Sequence, residues 1–241
     1  MRPFLALLAC TALCAGEPGT EPIAATIQAS AILHRNALVL IQAAVVRPKN
    51  DGQGEDQQHA EAPGYVLDAQ GMIVTSTQSL IGWSEEGAPP PLLRDVAALT
   101  AGGASHPCTL VRHEPALGLT FFKAPEGSGL SPLPAAAARR PALGEQVFSL
   151  ALANTPFGPT VSADRNFFQL ILDRPEALGA CWYMNGVAVF DAHGGLLGFQ
   201  CNLLWPNSQQ SEFSCVAPVA RVLAAAAGPL PATPAEPPAA P

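Results

Sequence analysis

Nucleophilic catalysis asks for a serine or cysteine beside a base, with a third group holding the base in place. The sequence offers 5 histidines and 6 cysteines for such a site. The histidines are poorly placed for it. His59 and His106 lie in polar segments, and His193 falls in the tight turn Ala192-His193-Gly194-Gly195. His113, just ahead of Pro115, reads as a solvent-facing turn residue. Ser211 and Ser214 share one segment, but no His/Asp pair is spaced to activate either of them. No CxxC pair and no Cys/His cluster has the spacing of a zinc site, so neither a metal nor another cofactor is expected.

Apolar residues make up 49% of the 241 and charged residues 13%, enough to bury a core in one large unit or two small ones. A net charge of −7 with no Lys/Arg run argues against a nucleic-acid partner, which needs a basic face to neutralise phosphates. No apolar run approaches the ~20 residues of a membrane-spanning helix, so no transmembrane segment is expected. Residues 1–16, "MRPFLALLACTALCAG", combine an early Arg, an apolar middle and small residues at the end. That pattern predicts a signal peptide cut after Ala15 or Gly16, and an exported protein, periplasmic or secreted. Leu7-Leu8-Ala9-Cys10 also has the form of a lipoprotein box, in which Cys10 is lipidated and retained. The apolar stretch before it, Pro3 to Ala9, is short for that purpose. Beyond the signal peptide lie Cys108, Cys181, Cys201 and Cys215. In an exported chain these suggest disulfides, with three connectivities open, beside the alternative of buried thiols.

The elements that would position any site are mostly short strands. Residues 21–35 have helical apolar spacing through Ile23, Ile27 and Ile32, and "NALVLIQAAVVRP" is a strand closed by Pro48. Residues 49–64 are polar and Gly-bearing and read as a loop. Hairpins follow, one turning at Asp68-Ala69-Gln70-Gly71 and one at Gly102-Gly103, then a strand over 117–125. After a loop, "EQVFSLALA", "NFFQLILD", "CWYMNGVAVF", "GGLLGFQCNLL" and "SEFSCVAPV" are further strands, and residues 218–227 form a closing helix. The pattern predicts an all-β sandwich or pair of barrels. The Pro/Ala-rich segment 228–241 reads as an extended, disordered tail.

Four stretches, in order, resemble the HtrA-type (DegP-like) branch of the trypsin-like serine proteases. They are "PGYVLDAQGMIVTSTQSL", "DVAALTAGGASHPCTLVRHEPALGLTFFKA", "LGEQVFSLALANTPFGPTVS" and "YMNGVAVFDAHGGLLGF", and the likeness covers about residues 36 to 225. The resemblance implies two antiparallel six-stranded β-barrels with a cleft between them. Residues 21–128 would hold the N-terminal helix and first barrel, and residues 129–227 the second barrel and closing helix. The family's PDZ module has no counterpart in this sequence, so its regulation is not carried over.

The same resemblance places the family's His at Gln78, its Asp at Gly118 and its nucleophilic Ser at Asn185. Gln has no basic nitrogen near neutral pH, Gly has no side chain to orient a partner, and an amide forms no acyl-enzyme. The oxyanion-hole glycine falls at Tyr183, and Val187 and Ala188 replace the Gly-Pro that follows the nucleophile's first glycine. The expectation is therefore a pseudoprotease. Its cleft, lined by Cys201, Asn202 and Cys215, would take an extended peptide or a partner protein by strand addition. The alternative is an active serine endopeptidase with a rearranged triad. Cys181 stands at an offset from position 185 that many secreted trypsin relatives give to a disulfide cysteine. Cys201 and Cys215 fall on strands that pair across the family's substrate pocket, which makes Cys201–Cys215 the preferred bridge.

Overall fold

The apolar segment after the first helix organises one whole sheet. In the computed structural model, residues 21–49, 54–82, 91–133, 142–168, 188–204 and 212–228 are described. There β1 (Leu38–Pro48) pairs antiparallel with β2 (Glu55–Val66) on one side and β4 (Leu92–Thr100) on the other. With β3 (Met72–Ser76), β5 (Ser105–Pro107), β6 (Thr109–Glu114) and β7 (Leu119–Lys123) they form a seven-stranded sheet, ordered β5-β4-β1-β2-β3-β7-β6. The edge strands β5 and β6 are separated in the chain by Cys108 alone, so the sheet curls until its edges approach. It is a half-barrel. A bulge helps it bend, because Ala43 faces both Asp95 and Val96, and Asp95 takes the left-handed conformation at φ 51°.

Alternation along β1 gives each face its own core. Val39, Ile41 and Ala43 point into the curl with Ala62, Ile73, Leu80, Val96 and Phe122. Leu38 and Leu40 point the other way, toward a second sheet. That sheet has five antiparallel strands: β8 (Gln146–Thr155), β9 (Gly158–Phe167), β10 (Ala188–Asp191), β11 (Leu196–Leu204) and β12 (Glu212–Pro218), ordered β12-β11-β10-β8-β9. Phe148, Leu150, Phe190 and Phe199 pack with Leu38, Tyr65, Val74 and Phe121 of the first sheet. Phe148 stacks on Phe190 at 5.3 Å, and Tyr65 meets Phe199 edge-on at 6.1 Å. Val147, Phe168, Val189, Leu197 and Val216 form a third cluster on the far face.

The fold is all-β, as the pattern of short strands predicts, with two sheets of seven and five strands among the described residues. Among the described residues three α-helices complete it: α1 (Glu21–Leu33), α2 (Thr77–Ile81) and α3 (Val219–Ala227). α1 leans on the second sheet, where His34 just after it stacks on Phe190 at 5.1 Å. No described helix is long and apolar enough to cross a membrane.

Two local readings differ from the structure. Most of the polar segment 49–64 is strand, because β2 pairs with β1 along its whole length, from Arg47↔Asp56 to Leu38↔Tyr65. The apolar partner supplies the ladder, and the exposed half of β2 is free to carry Glu55, Gln57 and His59. The strand after β8 begins at Gly158, with Phe157 at the hairpin tip, and not at the apolar run near 166. Backbone pairing with β8 overrides composition there. The runs expected over 166–173 and 181–190 lie largely outside the described residues.

Candidate functional site

β3 and β7 lie side by side in register, Thr75 opposite Thr120 and Ser76 opposite Leu119. Their shared end brings together the two segments on which the first expected site positions stand. Ser76 ends β3 and caps α2, its hydroxyl accepting the Ser79 N–H at 3.4 Å. The next residue's N–H, of Thr77, donates to the Gly118 carbonyl at 2.9 Å. Gln78 and Gly118 are thus on adjoining segments, and neither brings a base or a carboxylate.

Gly118 has a structural reason of its own. It closes the single 3-10 turn Pro115–Leu117 in the left-handed conformation, at φ 59° and ψ 31°. Any side chain with a Cβ is penalised there, typically by about 1–2 kcal/mol. The chain therefore turns at position 118 in a way suited to glycine.

His113 is not the surface turn residue its neighbourhood suggests. It lies in β6, opposite Thr120 of β7, and its Nδ1 is 2.9 Å from the Thr120 hydroxyl. That hydroxyl lies 2.8 Å from Thr77 Oγ1, giving a chain His113–Thr120–Thr77 beside Gln78. Burial holds His113 below its ordinary pKa, which favours the neutral ring. A neutral imidazole against a hydroxyl is the contact of a general base with its nucleophile. Thr120, however, is fully buried in the sheet, so no substrate carbonyl can approach it. The sequence signal was available: period-two pairing places residues 113 and 120 opposite each other once the hairpin turn at 115–118 is recognised.

His34 is buried against Phe190, and the other three histidines lie at the surface. His59 is exposed on β2, 3.5 Å from Glu61, and His106 lies on the short edge strand β5. His193 is exposed in the β10–β11 turn, where Asp191 Oδ1 accepts the N–H groups of His193 and Gly195, each at 2.8 Å. Among the described residues no cluster of three or more His, Cys, Asp or Glu is arranged to hold a metal ion. Cys10, Cys181, Tyr183, Asn185, Val187 and Ser211 lie outside the described residues.

The cleft residues expected on the second sheet fall on two neighbouring strands. Cys201 is opposite Cys215 and Asn202 is opposite Ser214, on β11 and β12. Cys201 and Cys215 are both buried, and their Sγ atoms are 3.2 Å apart as two thiols. The contact with Cys201, with Arg221 of α3 nearby, holds the Cys215 thiol below its ordinary pKa. The same contact and burial hold Cys201 well above. Cys108 is separate: its thiol points to the His106 carbonyl at 3.4 Å, and burial pushes it up to about 11.

β11 is registered against β12 from Gly198↔Pro218 to Leu204↔Glu212, and against β10 over Ala188–Phe190. No protein-family model matches this sequence, and no curated protein matches it.

Proposed function

We propose that this chain is an exported, catalytically silent relative of the HtrA-type trypsin-like proteases that binds an extended peptide or a partner protein. The observation that carries the reading is the junction of β3 and β7. There the two segments that would bring a base and its orienting carboxylate together meet through the Thr77 N–H and the Gly118 carbonyl, and carry Gln78 and Gly118 instead. A protein built on this plan loses the general base and its support at once, and Asn185 leaves no hydroxyl to activate. The proposed fold is a double barrel. In it β5 and β6 count as one strand bent at Cys108, which makes the first sheet six-stranded.

Binding is assigned to the strand pair β11–β12. Strand addition uses backbone N–H and C=O groups, so it survives the loss of every catalytic side chain. The expected cleft residues Cys201, Asn202 and Cys215 lie on these two strands, with Cys201 directly opposite Cys215. Export follows from residues 1–16, with Cys10 as the alternative point of lipid attachment.

The test pairs an activated-serine probe with a binding assay. Purified protein is incubated with a fluorophosphonate and with casein, then titrated with labelled extended peptides from a random library. The expected result is no labelling, no cleavage and saturable peptide binding. Labelling abolished by changing one serine would overturn the reading in favour of an endopeptidase with a rearranged triad.

A further inference from the structure

Directly opposed residues of an antiparallel pair have Cα atoms about 4.5–5.5 Å apart. That lies inside the window of about 4.4–6.8 Å that a disulfide accepts. Cys201 and Cys215 are such a pair, with their Sγ atoms 3.2 Å apart in the core shared by the two sheets. Closing to the usual bond of about 2 Å needs a movement of ~1 Å, within reach of side-chain torsions. We propose that Cys201 and Cys215 are a reversible two-electron redox site, which fastens β11 to β12 when oxidised.

Either sulfur can donate across the 3.2 Å contact, and the charge of Arg221 favours a thiolate. With the contact to Cys201 holding the Cys215 thiol below its ordinary pKa, Cys215 is the more readily ionised of the two. Both side chains are buried, so the fitting oxidant is the smallest one, hydrogen peroxide. The Cys215 thiolate attacks one peroxide oxygen, the O–O bond breaks, and the departing hydroxide takes up a proton to become water. Cys201 then attacks the sulfenic sulfur of Cys215, and the S–S bond forms as a second water leaves. Two thiols and one peroxide give one disulfide and two waters. A dithiol reductant reverses the step by exchange and is itself oxidised to a disulfide.

The cysteines are 14 positions apart, so the bond closes a short loop that includes Asn202 and Ser214. On the binding reading above, the bond ties together the two strands that carry the cleft residues. The redox site itself does not depend on that reading.

The experiment treats the full chain with peroxide, blocks free thiols in denaturant, and cleaves after Asp191 and Glu212. These cuts put Cys181, Cys201 and Cys215 on three separate peptides. The expected product joins the peptide of Cys201 to that of Cys215, and dithiothreitol separates them. The oxidised protein should melt on the order of 6–12 °C above the reduced one. A C108S/C181S variant should give the same joined product, and C215S should not. Full blocking of both Cys201 and Cys215 after peroxide would overturn the proposal, as would a link from either to Cys108 or Cys181. Because linkage is read without peptide, its failure leaves the binding reading untouched, and failure of binding leaves the linkage result untouched.

Discussion

Gly198 is the position at which the second sheet tolerates least. A methyl group built there falls on the Ala217 carbonyl oxygen of β12 and lies 2.8 Å from Val216 Cγ1. The first of these neighbours is backbone, so relief requires the strands to part by about 1 Å, since heavy atoms in contact need ~3.4 Å or more. Hydrogen bonds of about 2.9 Å stretched by that much are lost, and two ladder bonds amount to about 2 kcal/mol. Overpacking of the Val216 side adds about 1–3 kcal/mol. Gly198→Ala is therefore expected to cost about 3–5 kcal/mol, which lowers Tm by roughly 6–20 °C for a chain of this size. Urea unfolding at fixed pH checks it, with the midpoint shifted and the slope unchanged. Gly102→Ala is the control, because its methyl finds the Thr100 hydroxyl oxygen only at an ordinary 3.8 Å. A cost below about 1 kcal/mol at Gly198 would mean that β11 and β12 are not packed as closely as the geometry requires.

Burial lowers the pKa of both His34 and His113 from the usual 6.5. The folded chain then binds fewer protons than the unfolded one between each lowered value and 6.5, so their contribution is complete above pH 6.5 and lost as pH falls through that window. The urea midpoint should fall from pH 7 to 5, less steeply in His34→Leu; an identical slope in the variant would refute the assignment. Thr120→Val removes a fully buried hydroxyl that joins His113 to Thr77, and should cost about 1–3 kcal/mol in the same assay. Arg94→Ala breaks a paired contact with Glu55 at 2.9 and 3.1 Å, but on an exposed surface, so its cost should stay below about 1 kcal/mol. Cys108, pushed up to about 11, should resist iodoacetamide at pH 8 in the folded chain and react on unfolding.

Alternation made much of the fold legible in the sequence. Leu38 to Val46 reads as a strand because it is apolar on both faces, and the structure uses both, one for each core. The turns at Asp68–Gly71 and Asp191–Gly195 were readable from their residue types, and both occur with the Asx contacts such turns favour. β2 was not legible. Its ladder is supplied by β1, and the side chains of its exposed half carry no periodic signal. The contact of His113 with Thr120 follows from the register that the 115–118 turn sets, so it becomes legible only once that turn is recognised as closing a hairpin.

Gly118 sits among core residues without joining them. Leu117 and Leu119 on either side of it are buried in the shared core, while Gly118 itself serves the turn, whose left-handed conformation suits glycine. On the proposed reading, Gln78 and Gly118 could stand where a base and a carboxylate would act without removing any core side chain. β11 and β12 are held more tightly. Gly198 is held by the backbone opposite it, and Cys201 by the sulfur of Cys215. Close packing and paired sulfurs thus coincide along that strand pair, which is where the proposed cleft residues and the redox site both fall.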